Sequence, residues 1–327
     1  MSFKQIIKLI CVTMVFILIS SAIVMVLPES YRQSDGIQIS TGKIKGLESI
    51  KENFKDLIKI TGQIESIEIL TESIHKPPEA SVDIENSSGL NIIEIDTDDY
   101  YKKAYGKSGE ALKNTLNDII DGHEELTYKE VWAAVKETDQ DPNNESNVIL
   151  IYTGRSQSKG DNGTDSDGWN REHVWAKSHG DFGTSKGAGT DLHHIRPADV
   201  TVNSSRNNKN FDNSEYSHKE AVLCRHDKDS FEPRDPVKGD VARMLFYMAV
   251  RYEGENKEPD LELVEYMNES KEPYHGKLET LLEWHKQDPV SNFERRRNNI
   301  IDDKYQGNRN PFIDHPEWVE EIWKVAS

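Results

Sequence analysis

The sequence predicts an α+β fold in which helices surround a few short strands. The segment Val241–Tyr252 carries a dense run of apolar residues that is too apolar for a surface helix, so it is predicted to lie at the centre of the domain. Residues 148–152 form a short apolar run with several β-branched side chains, which indicates a buried strand. Hydrophobic residues make up 35% of the 327-residue chain, enough for a sizeable core.

The N-terminal segment predicts export from the cytoplasm. Lys4 and Lys8 precede an apolar run that ends near Leu27. The small residues at 20–22 suit the cleavage point of a signal peptide, whereas the whole run is also long enough to span a bilayer. We therefore interpret residues 1–28 as a signal peptide or a membrane anchor. Both alternatives place the protein outside the cytoplasm, either extracellular or at the cell surface.

Three regions follow this segment. Residues 31–72 show short strand-like and helical patterns, and we expect a small appendage of unknown role. Residues 73–95 contain proline, serine and glycine with few large apolar side chains, which is typical of a linker. Residues 96–327 are predicted to form the main domain.

Within the main domain, the spacing of apolar residues predicts helices at Asp98–Ala104, Gly109–Ile120, Thr127–Thr138, Gly276–Lys286 and Phe293–Asp303. Residues 161–168 contain Asp, Asn, Gly, Ser and Thr, and their acidic spacing does not match an EF-hand. They are predicted to form a solvated loop.

Charge and cysteine content narrow the functional classes. A net charge of −18 argues against a surface that coats nucleic acid non-specifically. The local field at a groove matters more, and residues 169–211 carry more basic than acidic side chains. The two cysteines are Cys11, in the apolar N-terminal run, and Cys224. The folded part therefore has neither a disulfide framework nor a zinc site built on several cysteines.

Polar residues that can carry chemistry concentrate between positions 169 and 206. They fall in the segments Trp169–Trp175, Asp191–Asp199 and Val202–Arg206, with a glycine-rich link at 178–190. This order predicts a strand, a long hairpin loop, a second strand and a helix. The strands are expected at 173–175 and 192–195, and Pro197 is expected in the first turn of the helix.

The residue types in these segments suit phosphodiester hydrolysis. His173 can deprotonate water, since histidine is the usual base near neutral pH. Glu172 and Asn203 offer a carboxylate and an amide oxygen, which are ligands of hard divalent cations. Neighbouring residues on a strand point to opposite faces, so a bend or a strand end is expected at the Glu172–His173 pair.

The same segments resemble the endonuclease I family, which comprises secreted and periplasmic nucleases of the ββα-metal (His-Me finger) superfamily. The similar segments, in family order, are Asn170–Val174, Asp191–Pro197, Val202–Arg206, Arg243–Met248, Trp284–Val290, Asn292–Asn298 and Tyr305–Phe312. The resemblance covers roughly residues 100–325 and is closest to the cysteine-poor, ribonuclease-like members.

This resemblance implies a ββα-metal core embedded in a mainly helical domain. It implies an endonuclease that cleaves DNA, RNA or both with little sequence preference and leaves 5′-phosphates. His173 matches the general base, and Glu172 and Asn203 match the protein ligands of Mg²⁺ or another divalent cation such as Ca²⁺ or Mn²⁺.

An arginine is expected to steady the scissile phosphate, and the candidates are Arg206 and Arg196, with Arg171 as a further substrate-binding residue. His193 and Asp191 are expected to support the site structurally. The expected partner is nucleic acid. A membrane contact depends on retention of residues 1–28, and no obligate protein partner is evident from the sequence.

Two alternatives from other functional classes remain. An exported binding or adhesion module can hold structural zinc on histidines, and the candidate ligands are His173, His179, His193 and His194. Their spacing does not match the short, regular ligand pairs of such modules. The chain can also be an inactive nucleic-acid-binding relative, although Glu172, His173 and Asn203 are all present.

Overall fold

The computed structural model describes residues 97–266 and 271–323. The interpretations of residues 1–28, 31–72 and 73–95 lie outside these ranges. The described residues form both helices and strands, which confirms the α+β class. In this part of the chain, no helix is both long and apolar enough to cross a membrane.

The helices lie mostly in the C-terminal half of the domain. The α-helices of the described ranges are α1 (Gly109–Ile120), α2 (Val131–Thr138), α3 (Val200–Arg206), α4 (Lys238–Arg251), α5 (Leu278–Gln287), α6 (Asn292–Ile301), α7 (Pro311–Asp314) and α8 (Trp318–Ile322). Short 3₁₀ turns occur at Asp235–Val237 and Glu255–Lys257, and a π-helical turn occurs at Asp302–Gln306.

The strands are short and form four small sheets in the described ranges. Strands β1 (Gln140–Asp141), β2 (Asn144–Ile149) and β3 (Ser156–Ser158) form an antiparallel sheet. Strand β4 (Trp169–His173) and β5 (Ile195–Asp199) form a two-stranded antiparallel sheet. Strands β6 (Asn210–Phe211), β7 (Tyr216–Ser217), β8 (Arg225–His226) and β9 (Ser230–Glu232) form a third sheet, and β10 (Glu262–Val264) pairs in parallel with β11 (Tyr274–Gly276).

Helix α4 forms the centre of the main core, as its composition predicts. Every residue of this helix is buried. It packs against α5 and α1. A Cβ atom at Gly239 would lie only 2.0 Å from the backbone carbonyl oxygen of Asp288. The start of α4 therefore passes so close to the end of α5 that only glycine fits there.

Most of the predicted elements are present with shifted bounds, but one helix is absent. Asp98–Ala104 forms successive turns instead of a helix. Backbone hydrogen bonds here join residues three apart, from Ala104 to Tyr101 and from Lys107 to Ala104, so turns form in place of a continuous helix. Tyr101 is fully buried, and its hydroxyl donates a 2.8 Å hydrogen bond to Asp314, far along the chain. Residues 161–168 form turns and bends, as predicted for a loop.

The predicted position of Pro197 is also wrong. Pro197 lies within β5, opposite Arg171 of β4, and the following helix begins only at Val200. Strand β5 pairs with β4 alone, and proline is tolerated in strands that have an unpaired edge. The Pro197 carbonyl accepts a 2.9 Å hydrogen bond from the Ile151 amide, which ties the strand to the chain after β2.

Helix α6 has a capping box that allows a direct test of its stability. The Ser291 side chain accepts from the Glu294 amide, and the Glu294 carboxylate accepts from the Ser291 amide. We expect Ser291→Ala to lower the free energy of unfolding by about 1 kcal/mol, because the Glu294 amide at the start of α6 loses its side-chain acceptor. Urea denaturation followed by circular dichroism measures this change. An unchanged midpoint would show that the cap contributes nothing.

Candidate active site

A hairpin and a short helix position the predicted site residues. Strands β4 and β5 are antiparallel, with Glu172 opposite Arg196 and His173 opposite Ile195. The long connection between the strands, residues 174–194, replaces a tight turn. Helix α3 follows β5 directly and packs on both strands.

This arrangement brings Glu172, His173 and Asn203 to the wall of one cavity of about 490 Å³. Strand β4 ends at His173, and the chain bends at the next two residues. The pair thus stands at a strand end, where adjacent side chains can face a common space. The remaining cavity wall is formed by Tyr128, Trp132, Gly163, Thr164, Asn170, Arg171, Ala176, Lys177, Ser178, Asn207 and Asn208.

His173 is held in one orientation by the hairpin loop. The side chain is 5% exposed, and its Nε2 atom lies 3.0 Å from the carbonyl oxygen of Gly189. A carbonyl can only accept, so Nε2 carries the proton and Nδ1 is the basic nitrogen. Burial lowers the pKa of His173 well below its usual value, with a smaller contribution from nearby His194. The ring is therefore neutral near pH 7 and can accept a proton.

The acceptor of the His173 ring is itself fixed by close packing. A Cβ atom at Gly189 would lie 2.6 Å from the Ser185 carbonyl oxygen and 2.8 Å from that of Gly183. His194 donates from Nε2 to the adjacent Ala188 carbonyl at 2.8 Å. Glycine thus permits the tight loop that presents the Gly189 carbonyl to the ring.

Glu172 is a buried carboxylate with two partners on one oxygen. The Tyr152 hydroxyl donates to Oε1 at 2.5 Å, and Arg206 Nη1 lies 3.2 Å from the same atom. Burial raises the pKa of Glu172, and the positive charge of Arg206 opposes that rise. Because both partners contact Oε1, the second oxygen is the one that the carboxylate can offer to a cation.

Asn203 is oriented by hydrogen bonds from its amide nitrogen. Nδ2 donates to the Asn170 side-chain oxygen at 2.7 Å and to the Arg171 carbonyl oxygen at 3.4 Å. The nitrogen is therefore turned toward β4, and the oxygen Oδ1 remains as the ligand atom that the side chain offers. Asn203 lies in the middle of α3, which fixes its position over the hairpin.

Arg171 also lines the cavity, between two aromatic rings. Its guanidinium carbon lies 3.4 Å from the Tyr128 ring centroid and 3.9 Å from the Trp132 ring centroid. Nη1 donates to the Tyr128 carbonyl oxygen, and Nε is buried with no hydrogen-bond partner. Burial lowers the pKa of Arg171. The Arg171 guanidinium is therefore part of the same cavity wall as the predicted catalytic pair, Glu172 and His173.

Arg206 is not placed for the direct phosphate contact that the sequence suggests. The side chain is 1% exposed and does not line the cavity. Its guanidinium donates to the carbonyl oxygens of His173 at 2.9 Å and Val174 at 2.6 Å, besides its contact with Glu172. It thus secures the end of β4 and neutralises a buried carboxylate.

Arg196 is likewise placed away from the cavity. It is 2% exposed, and it forms ion pairs with Asp139 and, at 3.1 Å, with Asp240. Arg297 contacts the other oxygen of Asp139 at 3.2 Å. These buried ion pairs commit Arg196 to the packing between β5, α2 and α6, and the side chain does not line the cavity. We therefore do not expect Arg196 to bind substrate directly.

Asp191 and His193, which the sequence analysis expects to support the site, lie in a buried polar network. Asp191 Oδ2 accepts hydrogen bonds from the hydroxyls of Tyr247 and Tyr252, both at 2.9 Å. His193 Nε2 lies 3.2 Å from the Asn308 carbonyl oxygen, and burial lowers the pKa of His193 to about 4. The network joins the hairpin loop to the central helix and the C-terminal segment.

Several residues of the cavity wall are not identified as site residues by the sequence patterns. Tyr128 lies 43 positions before Arg171. The helical spacing at 127–138 indicates only that the Tyr128 side chain packs on one side of the predicted helix. Lys177 and the adjacent pair Asn207 and Asn208 carry no pattern that distinguishes them from ordinary loop residues. Only the fold reveals their common location, because it brings the segment before α2, the chain after β4 and the end of α3 to one cavity.

The histidines proposed for structural zinc are not arranged as a zinc site. Within the described ranges, the one group of three metal-capable carboxylate, histidine or cysteine side chains is Glu253, Asp260 and Glu262. The buried Lys113 ammonium lies 2.7 Å from Glu253 and 3.2 Å from Glu262. A lysine therefore already balances this acidic group.

Comparison with known proteins identifies the family. The family model of Endonuclease I matches residues 108–317. An extracellular ribonuclease of Bacillus subtilis (strain 168) is 64% identical over 228 residues, which cover 70% of this chain and 79% of that protein. An extracellular ribonuclease of Bacillus amyloliquefaciens is 59% identical over 239 residues, which cover 73% of this chain and 83% of that protein. The chain belongs to the endonuclease I family and is a hydrolase that acts on the phosphodiester bonds of nucleic acids.

Proposed function

We propose that this nuclease is an exported, metal-dependent endonuclease that cleaves RNA, DNA or both with little sequence preference and with 5′-phosphate products. The observation that carries the proposal is the convergence of Glu172, His173 and Asn203 on one cavity. The two relatives named extracellular ribonucleases support both the RNA substrate and the location outside the cell.

In this proposal β4, β5 and α3 form the ββα-metal core. The hairpin supplies Glu172 and His173, and the helix supplies Asn203. The donor set fits a hard divalent cation such as Mg²⁺, because it consists of a carboxylate oxygen and an amide oxygen with no sulfur ligand. A bound cation would supply positive charge opposite the developing negative charge of the phosphate and the 3′ leaving oxygen.

The proposed role of His173 is to remove a proton from the attacking water. Its Nδ1 atom is the basic nitrogen because Nε2 donates to Gly189. The Gly189 carbonyl also stabilises the protonated ring, since Nε2–H remains its donor after Nδ1 accepts the proton. The low pKa of His173 leaves the ring neutral before the reaction.

The arginines have different proposed roles. Arg206 is a positioning residue that holds Glu172 and the strand end beside it. Arg171 and Lys177 line the cavity and supply positive charge for the phosphate backbone of the substrate. Together they place local positive charge at the site of a chain whose net charge is −18.

Cleavage assays with and without a chelator test this proposal. Purified protein is incubated with a structured RNA and with plasmid DNA, in Mg²⁺ and in excess EDTA. We expect cleavage that stops in EDTA and returns with added cation, and products that a 5′-phosphate-dependent exonuclease can degrade. Cleavage that continues in EDTA would contradict metal dependence, and the absence of cleavage in every buffer would contradict the nuclease assignment of the site.

The hydroxyl of Tyr152 offers a milder test of the metal ligands. We expect Tyr152→Phe to weaken apparent Mg²⁺ affinity by about 10- to 100-fold, because Glu172 loses the hydrogen bond that orients it. The measurement is the activity at increasing Mg²⁺ concentration. Activity at saturating Mg²⁺ should recover most of the wild-type value, whereas an unchanged Mg²⁺ dependence would show that Tyr152 does not orient the ligand.

A further inference from the structure

Tyr128 occupies a position at the cavity that catalysis by Glu172, His173 and Asn203 does not require. Its ring lines the cavity, and its centroid lies 6.0 Å from the ring centroid of His173. An aromatic ring at this distance from the general base is close to the nucleotide whose phosphate is attacked.

The ring is held rigidly by its neighbours. The Arg171 guanidinium lies 3.4 Å from the Tyr128 ring centroid, and the Trp132 ring covers the other face of the guanidinium. Trp132 in turn meets Trp169 edge to face, with 5.5 Å between ring centroids. Such a stack orders the tyrosine before substrate binds, which reduces the entropy lost on binding.

The backbone that carries Tyr128 is fixed as well. The Thr127 hydroxyl and amide both donate to the Glu130 carboxylate at 2.7 Å, and the Glu130 amide donates back to the Thr127 hydroxyl at 3.3 Å. Arg171 Nη1 donates to the Tyr128 carbonyl oxygen. The Thr127–Glu130 contacts fix the turn that carries Tyr128, and the Arg171 contact holds this turn against strand β4.

The rest of the cavity wall has the chemistry that complements a base edge. The side chains of Thr164, Ser178, Asn207 and Asn208 bring hydroxyl and amide groups, which both donate and accept hydrogen bonds. A rigid aromatic ring beside such groups is the combination with which proteins bind single-stranded nucleic acid.

We propose that Tyr128 forms a stacking subsite for an unpaired nucleobase next to the scissile phosphate. The subsite gives the enzyme a preference for single-stranded substrate, whether RNA or DNA, because a base within a duplex is already stacked and cannot reach the ring. This inference rests on the proposed nuclease site and specifies which nucleic acid that site prefers.

The test compares the wild type with Tyr128→Leu on four substrates: single-stranded RNA, single-stranded DNA, the corresponding DNA duplex, and a DNA strand made of abasic nucleotides. We expect Tyr128→Leu to lower kcat/KM by about 5- to 150-fold on both single strands. On the abasic strand and on the duplex, kcat/KM should fall little, since neither substrate offers an unpaired base. A loss on RNA alone would confine the subsite to RNA.

Two further variants separate stacking from general damage. Tyr128→Phe keeps the ring and should retain the single-strand preference, and Tyr216→Leu removes an exposed tyrosine that does not line the cavity. An equal loss on the abasic strand would overturn the inference, because the ring would then act only by positioning Arg171 or His173. If the wild type cleaves single strands and Tyr128→Leu leaves their advantage over the abasic strand intact, the subsite is refuted while the proposed nuclease function stands.

Discussion

His173→Ala is expected to lower kcat/KM on RNA by about 10²- to 10⁴-fold, the contribution typical of a positioned general base. The only basic nitrogen of the ring is Nδ1, since Nε2 donates to the Gly189 carbonyl, and alanine offers no replacement. Single-turnover cleavage at saturating Mg²⁺ measures the loss at the chemical step.

The control for this variant is His226→Ala. His226 is a partly exposed histidine of β8 that does not line the cavity, so its replacement should leave the rate unchanged. The His173→Ala protein should keep its circular dichroism spectrum and its Mg²⁺ affinity, because histidine is not a proposed ligand. Cleavage at the wild-type rate would rule out His173 as the base.

Glu172→Gln is the second change with a large expected effect. It preserves the size of the side chain but removes its negative charge, and a metal ion bound at a charged oxygen contributes several kcal/mol to catalysis. We therefore expect activity to fall by roughly 10²- to 10³-fold at a fixed Mg²⁺ concentration. Titration calorimetry with Mn²⁺ should show that the cation no longer binds.

The same substitution is expected to destabilise the fold. Arg206 is buried beside Glu172, and a buried charge that loses its partner costs about 3 to 5 kcal/mol. Glu220→Gln is the matched control, because Glu220 is an exposed acid that contacts Thr201 of α3 and does not line the cavity. Unchanged Mn²⁺ binding by the folded Glu172→Gln protein would contradict the assignment of this ligand.

The two effects can be separated by temperature. Activity is compared well below the melting temperature of each variant, where both proteins are folded, and the melting temperature itself reports the loss of the Glu172–Arg206 pair. A variant that melts earlier yet keeps both cation binding and activity would assign Glu172 a structural role only.

Local sequence patterns were sufficient for the elements that depend on apolar spacing. Helix α4 is recognisable because its apolar run at 244–250 is too apolar for a surface helix, and the whole helix is buried. Residues 98–104 show where such patterns fail: the segment forms a series of turns, and its buried Tyr101 bonds to the distant Asp314. A contact across more than 200 positions leaves no mark on local spacing.

For the site, the sequence by itself determined the residue types and their order: a Glu-His pair followed by an asparagine, within segments that match a nuclease family. The tertiary structure alone decided which cationic side chains line the cavity. Arg196 and Arg206 look equivalent to Arg171 in the sequence, but burial against Asp139 and Glu172 commits both to structural ion pairs. Arg171 lines the cavity because Tyr128, 43 positions earlier, packs against it. The sequence shows that a residue is a charged arginine, whereas the fold determines which groups that arginine contacts.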